Sequence, residues 1–574
     1  MFQGFTWHAG LPRFCGGFLE LIFDSKTGFL VDTPDVDAIH AVRQLCLLYS
    51  KLELSTSEKR RRASIRGFVD CESEIKRADS VRDMEELHDF RRMSNLVWRE
   101  VLQGVDNDLW RETSGQRDVT TSQPFLVPKH GPGATADKLT GNGKYDLREW
   151  SQRLEDVFPY GEYCLPSWRY HDRYDCVDLR EPGTERPVRV ISVPKTLKAQ
   201  RIIAIEPSYM QYMQQGLAAM IVPAIQNNFV LGRIVGFNDQ WRNNHLALKG
   251  SLDGSLATLD LSEASDRVSN QLVRAMLDRF PNLQEAVDAT RSRKADVPGH
   301  GILRLAKYAS MGSALTFPVE AMVFTAIVFL GIERAQGSRL TRSDITKLRD
   351  VVRVYGDDII VPVEFAPSVI DCLQQFGLKV NVHKSFLTGR FRESCGKEYY
   401  SGQDVSVVKV RHVVVLDGKV VGLPSSRRFA QEIESTVALR NRFYLLGLWR
   451  TAAWLDDWIG RLLGQHYPTV EVHESAPWEE PAPRSQVLGR WSVLPVRYSL
   501  QRVGDVRWNA DLHTLSMRGY VVRRQIPSST VSGVGALQKV LSPRRIKPFE
   551  DAKHLERAGR AENARIKLGW IPVT

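Results

Sequence analysis

The spacing of apolar and polar positions changes several times along the chain, and each change marks an element. Residues 1 to about 120 read as mostly helical, with dense charge. In RPVRVISVPKTLKAQRIIAIE, residues 186 to 206, the alternating stretches RVISV and RIIAIE predict two strands joined by a basic turn. Tyr209 to Ile225 carry a helical pattern that is expected to end near Pro223. The segment SLATLDLSEASDRVSNQLVRAMLDRF passes from a short strand ending near Asp260 to an amphipathic helix with Val268, Leu272, Met276 and Phe280 on its apolar side. The apolar run from Ala314 to Ile332 predicts a buried helix that starts near Thr316 or Phe317, with Pro318 in its first turn. In VVRVYGDDIIVPV, Val351 to Val363, two β-branched runs flank Tyr-Gly-Asp-Asp and predict a β-hairpin with acids at its tip. A helix from Pro367 to Phe376 leads to LKVNVHKSF, and in FRESCGKEYYSGQDVSVVKVR the pair Tyr399 and Tyr400 is expected to precede a further strand. From about 413 helical and loop-like pieces alternate, with Pro and Trp clustered between 467 and 508, and the last 35 residues are net basic and expected to be partly helical.

Length adds that 574 residues exceed one ordinary core and suggest about three or four domains or subdomains. A hydrophobic content of 43% and a charged content of 25% are those of a globular protein and exclude a largely disordered chain. The net charge of +11 favours a polyanionic partner such as nucleic acid. The cysteines at 15, 46, 71, 164, 176, 372 and 395 form no C-x-x-C pair, which points to reduced thiols. MFQGFTWHAGLPRF lacks a basic segment followed by an apolar run, so no signal peptide is expected. The most apolar window, Ala321 to Ile332, falls short of the roughly 20 residues that span a bilayer, and no membrane association is expected.

The candidate chemistry begins with Asp357 and Asp358. Adjacent carboxylates repel, and a rigid tip that holds them together is commonly stabilised by a cation; a solvated acidic turn is the plainer reading. Asp260, at the end of a strand, supplies a third acid. Nucleotidyl transfer uses two divalent ions about 3.5 to 4 Å apart, bridged by carboxylates from neighbouring strands, and oxygen ligands suit Mg²⁺, with Mn²⁺ as the alternative. Asp260 and Asp357 are the expected pair, and Asp358 an auxiliary ligand. Lys195, Lys198 and Arg201 gather at the basic turn as a clamp for a triphosphate or a nucleic-acid backbone. Lys384 reads either as a general acid for the departing pyrophosphate or as a surface lysine. PKHGPGATADKLTGNGKY, 128 to 145, reads equally as a phosphate-binding loop or a connector, and Lys59-Arg60-Arg61-Arg62 as a solvated helix face with RNA contact as the alternative.

In this order the motifs resemble those of viral RNA-dependent RNA polymerases, specifically the replicase catalytic subunit of the single-stranded RNA bacteriophages, the leviviruses. The matching residues are GPGA at 131 to 134, VPKTLKAQRIIAIEP at 193 to 207, DLSEASDRVS at 260 to 269, SMGSALTFPVE at 310 to 320, YGDD at 355 to 358 and FRESCGKEYYSG at 391 to 402, within roughly 125 to 411. The resemblance implies an α+β right-hand polymerase with fingers, palm and thumb, the palm an antiparallel sheet packed on helices. It implies metal-ligand roles for Asp260, Asp357 and Asp358, nucleotide or template contacts for Lys195, Lys198 and Arg201, and a template and nucleotide loop at Ser310, Met311 and Gly312. Many RNA polymerases place a second Asp five residues after the first ligand. Here Ser265 is five away and Asp266 six, and Glu320 stands where other families have Asn, so the reader of the ribose 2′-hydroxyl stays unassigned.

The expected layout is an N-terminal helical region over 1–120 that bridges fingers and thumb, and fingers over 121–250. A palm follows over 251–411, with a finger insertion at about 280–305, and the thumb and C-terminal region occupy 412–574. The implied partners are a single-stranded RNA template, nascent RNA, ribonucleoside triphosphates, host elongation factors Tu and Ts and a small-subunit ribosomal protein, in the cytoplasm of a bacterial host. The rival enzyme is a reverse transcriptase, which usually carries a bulky aromatic near the first Asp; Leu261 to Asp266 contain none. A second rival, an inactive RNA-binding or packaging protein, fits poorly with three retained acids.

Overall fold

The structure, a computed structural model, describes residues 6–8, 10–54, 56–114, 125–165, 168–195, 200–412 and 427–464, with shorter C-terminal stretches at 467, 469–471, 488–492, 506–510, 513–525, 533–541 and 563–573. Helices and sheets are mixed throughout, as expected of an α+β chain. At its centre is a four-stranded antiparallel sheet in the order Arg353–Tyr355, Asp358–Pro362, Leu256–Ser262, Lys379–Val380. Leu259, Leu261, Ile359 and Val361 are buried in one continuous core with the helices Met84–Thr113, Thr316–Gln336 and Ala366–Gln375. Burying each such side chain stabilises by about 1.5–3 kcal/mol, so the acid-bearing strands are anchored by apolar residues on either side of the acids.

Helix Thr316–Gln336 starts where the sequence predicts and ends on Gly337, whose φ of 65° supplies a left-handed cap. It is longer than the apolar window suggested. Its 21 residues are long and apolar enough to cross a membrane by length and composition, and 94% of its most apolar window is buried inside the protein, as a core helix requires.

Two other expectations are corrected. Helix Ser208–Gln226 passes through Pro223 instead of ending there, because Ile221 and Ile225 are buried and hold the last turn in the core. The helix after Asp260 spans only Asn270–Leu277. Ser269 caps it by accepting from the Gln271 N–H at 3.0 Å, Val268 is still extended, and Phe280 is kept out of the helix by Pro281, which opens the next one. As expected, a further strand, Gln403–Asp404, follows Tyr399 and Tyr400; the two tyrosines themselves end the strand Lys397–Tyr400, which pairs with Phe391–Ser394 across a Cys395-Gly396 turn with both φ positive, at 50° and 80°.

The basic hairpin forms as predicted from Val188–Pro194 and Gln200–Ile205. Lys294–Val297 and Gly301–Arg304 extend the same sheet, so the stretch after helix Pro281–Ala289 joins this sheet and not the acid-bearing one. Ile65 and Phe68, from helix Glu58–Val81, pack under it. On that helix Arg61 and Arg62 close on Glu58 at 2.8 and 3.1 Å, so the charged run is in part a self-paired solvated face. In the loop 128–145, Lys144 is buried and its ammonium donates to the carbonyl of Gly131 at 2.8 Å and to that of Gly133, which uses its charge to tie the loop together. All seven cysteines are free thiols.

Helices Arg427–Leu445 and Trp449–Leu463 form a separate small core with strands nearer the C-terminus. Of the last 35 residues the described part is the end of helix Gly533–Leu541 and the strand Asn563–Val573, which pairs with Thr514–Gln525. Lys198 and most of the Pro and Trp cluster between 467 and 508 lie outside the described residues.

Candidate active site

Strand register sets the acids. Asp358 pairs directly with Asp260 on one side and with Tyr355 on the other, which leaves Gly356 and Asp357 as a two-residue turn. Gly356 has φ +56°, and a Cβ there would stand 2.6 Å from the Phe317 ring, so only glycine fits under that ring. The Tyr355 hydroxyl donates to the Phe237 carbonyl at 3.1 Å. Arg353 is buried and donates to Asn243 Oδ1 at 3.0 Å and to the carbonyls of Gly232, Arg233 and Asp239 at 3.2, 2.7 and 3.2 Å. The hairpin is therefore fixed from both sides before any ligand arrives.

Asp260 is held by the segment that follows its neighbouring strand. Asn381 Nδ2 donates to Oδ2 at 2.9 Å, Lys384 Nζ lies 3.2 Å from Oδ1, and the Asp260 N–H donates to Ser385 Oγ at 3.2 Å. Burial raises the Asp357 carboxyl, the neighbouring Asp260 raises it further, and Lys384 and Lys195 pull it back. Burial pushes Asp358 up to about 7, with Asp357 adding to it, while a hydrogen bond from the Cys395 backbone N–H works against the rise. Burial and the charge of Asp260 also raise Glu393. Burial alone would lower the Lys384 ammonium, and Asp260 and Glu393 outweigh it and leave it raised.

Carboxylates crowded until they resist ionisation are a donor set for a hard cation, since a bound divalent ion reverses that cost. Among the described residues no group of three or more His, Cys, Asp and Glu side chains converges as metal ligands. The oxygens of Asp260 and Asp357 are of the kind Mg²⁺ takes, and with so few side-chain ligands such an ion would keep several waters.

The Ser-Met-Gly loop is tied to the basic hairpin. The Ala204 N–H donates to the Met311 carbonyl at 2.9 Å, and Gly312 has φ +139° with room for no Cβ, which would stand 1.9 Å from the Ala204 carbonyl oxygen. Thr316 Oγ1 donates to the Ser310 carbonyl at 2.8 Å, and the buried Ser310 hydroxyl has no partner among the described residues. Lys195 and Arg201 are both exposed on the hairpin, and Lys195 acts electrostatically on Asp357.

Ser265 and Asp266 part company. Ser265 hydrogen-bonds Glu320, a buried acid that burial pushes up to about 8, with Asp357 and Asp266 adding to the rise. Asp266 turns to Lys307, whose ammonium is fully buried at 2.9 Å from Asp266, 3.2 Å from Glu72 and 3.6 Å from the centre of the Phe68 ring. The structure therefore brings Asp260, Asp357, Asp358 and Lys384 together, leaves Lys195 within electrostatic reach of Asp357, sets Ser310, Met311 and Gly312 beside the hairpin, and uses Asp266 to bind the N-terminal helix. Sequence reasoning missed Asn381, Glu393 and Cys395. Asn381 stands three residues before Lys384, so one turn presenting both was the available signal; Glu393 and Cys395 lie in the FRESCGKEYYSG motif, which signalled the segment but not which of its residues face the acids.

Comparisons with known proteins give partial matches. Residues 172–423, which contain every one of these site residues, match the family model described as RNA replicase, beta-chain. Among individual relatives, the RNA-directed RNA polymerase beta chain of Escherichia phage MS2 is 39% identical over 225 residues, covering 39% of this chain and 38% of that protein. The RNA-directed RNA polymerase subunit beta of Escherichia virus Qbeta is 35% identical over 227 residues, covering 40% of this chain and 36% of that one. The matched stretch thus spans well under half the length of these curated relatives, and GPGA at 131 to 134 lies outside the family match. A solved structure, the RNA-dependent RNA polymerase of a human picorbirnavirus with its insertion loop deleted, aligns with TM-score 0.34 and 13% identity, covering 48% of this chain and 58% of that one.

Proposed function

We propose that the chain is an RNA-directed RNA polymerase that copies a single-stranded RNA phage genome, built as a right hand with fingers, palm and thumb. The observation that carries this reading is the pairing of Asp358 opposite Asp260 with Asp357 at the adjoining turn, next to Lys384 and Lys195. The match of residues 172–423 to the replicase family supports it.

In the reaction the 3′-hydroxyl oxygen of the growing strand forms a bond to the α-phosphorus of a ribonucleoside triphosphate. The bond from that phosphorus to the bridging oxygen breaks, pyrophosphate leaves with the electron pair, and the hydroxyl's proton passes to solvent. Asp260 and Asp357, with Asp358 in support, would hold the divalent ions, Mg²⁺ or Mn²⁺, which when bound would lower the pKa of the hydroxyl and neutralise charge on the phosphates. Asn381 and Ser385 keep Asp260 oriented. Lys195 and Arg201, with Lys198, bind and orient the triphosphate. Lys384, held beside Asp260, is placed to give its proton to the pyrophosphate oxygen. The loop Ser310–Gly312, tied to the hairpin at Ala204, positions nucleotide and template base together.

The same reading assigns RNA template, nascent RNA and ribonucleoside triphosphates as ligands, elongation factors Tu and Ts and a small-subunit ribosomal protein as host partners, and the bacterial cytoplasm as the place of action. The test is incorporation of labelled nucleotides on an RNA template with Mg²⁺, with and without the two elongation factors. Template-dependent use of ribonucleotides supports the reading. Preferential use of deoxynucleotides assigns reverse transcription instead, and RNA binding without synthesis assigns a packaging role.

A further inference from the structure

The segment from Leu48 to Glu53 lies along residues 408 to 411. Leu48 accepts from the Val410 N–H at 2.7 Å, Arg411 accepts from the Glu53 N–H at 2.7 Å, and the Gln44 side-chain amide bonds both backbone groups of Val408 at 2.9 Å. Lys51 sits between these ties, exposed. Beside it, Lys409 stands 3.6 Å from Glu398, an acid already engaged by Arg43 at 2.7 Å. Lys51 and Lys195 have no carboxylate in ion-pair range among the described residues. The same segment reaches the basic hairpin: Thr56 Oγ1 accepts from the Gln200 side-chain amide, and Gln200 pairs with Pro194, next to Lys195, so the chain from Leu48 to Thr56 runs from residues 408–411 to the Lys195 end of the hairpin. Partial burial lowers the Lys51 ammonium, and repulsion from Lys409, Lys384, Lys195 and Arg411 lowers it further. Glu398, the acid nearest Lys409, pairs in register with Glu393, whose N–H donates to Thr258 Oγ1 at 3.4 Å, two residues before Asp260, which sets the cationic collar beside the acid-bearing strand. Lys384 and Lys409 have Asp260 and Glu398 at hand, whereas Lys51 and Lys195 have no acid in range among the described residues, and such uncompensated like charges cost free energy that a bound polyanion offsets.

We propose that Lys51 and Lys409, carried to the edge of the site by the pairing of 48–53 with 408–411, form with Lys195 a docking site for the terminal phosphates of the incoming triphosphate and for departing pyrophosphate. The inference rests on the polymerase reading for its substrate. It gives the N-terminal region a direct part in the reaction, outside the stretch that matches the replicase family.

Two measurements on the full chain test it with Lys51→Ala and Lys51→Arg. In steady-state incorporation, Lys51→Ala is expected to raise the KM for nucleotide and weaken inhibition by inorganic pyrophosphate by about five- to tenfold each, with kcat within about twofold and Lys51→Arg close to wild type. In thermal melting, inorganic pyrophosphate is expected to raise the Tm of the wild type and of Lys51→Arg but not of Lys51→Ala. Wild-type KM and pyrophosphate inhibition in a normally melting Lys51→Ala variant overturn the proposal. So does weakened RNA binding with both constants unchanged, which assigns the collar to RNA phosphates. A Lys51-dependent Tm shift in a wild-type chain that incorporates nothing leaves the anion site standing and removes the polymerase reading.

Discussion

Asn381 holds Asp260 twice: its backbone N–H donates to the Asp260 carbonyl at 2.8 Å and its side-chain amide to Oδ2 at 2.9 Å. The first bond belongs to the sheet edge and survives any substitution; the second aims the carboxylate. Asn381→Ala is therefore expected to keep the fold and lose activity by about 10- to 100-fold, the usual cost of removing a group that orients a metal ligand. A titration of activity against Mg²⁺ checks this, because the lost activity should be partly recovered at high metal concentration.

Gly312 binds the Ser-Met-Gly loop to the basic hairpin through a contact that no side chain tolerates. Gly312→Ala forces a Cβ to within 1.9 Å of the Ala204 carbonyl oxygen at a φ of +139°. The loop must move off the hairpin, at a cost of about 1–3 kcal/mol, and nucleotide KM should rise more than Tm falls. Parallel KM and melting measurements on this variant test the link.

The buried ion cluster of Lys307 with Asp266 and Glu72 joins the turn after Asp260 to helix Glu58–Val81. Removing only the cation leaves two acids facing each other in the interior. Lys307→Ala should lower stability by about 3–5 kcal/mol in denaturant unfolding, far more than an exposed lysine such as Lys347.

Glu320 gives stability a pH dependence of known sign. Its folded pKa of about 8 lies above its ordinary value of 4.5, so the folded chain keeps a proton that the unfolded chain has lost. Stability from this group is complete below pH 4.5 and falls as pH rises towards 8, with a slope of about 1 kcal/mol per pH unit. Glu320→Gln should remove that slope. Melting temperatures of both proteins from pH 5 to 8.5 should therefore converge at low pH and diverge at high pH.

The elements around the acids were legible because each is announced by its own period: β-branched runs around Gly356, alternation before Asp260, a continuous apolar run after Thr316. Boundaries failed where a distant or neighbouring group decided them, as when the core carried a helix through Pro223 or Pro281 cut one short at Phe280. In the site, the three acids and Lys384 could be named from local motifs and the family resemblance. What Asp266 does could not, since its partner Lys307 is 41 residues away and Glu72 lies on an N-terminal helix. Glu393 and Cys395 reach the acids because a separate hairpin folds against the sheet; the FRESCGKEYYSG motif marked that hairpin, but its packing against the acids is a long-range contact.

The central claim is that Asp260 and Asp357 hold the metal for RNA synthesis. Its most direct test is template-dependent ribonucleotide incorporation with Mg²⁺ by the wild type and by Asp357→Asn, each checked for an unchanged melting temperature. Incorporation by the wild type and none by a well-folded Asp357→Asn protein is the predicted result; full activity in that variant would contradict the assignment.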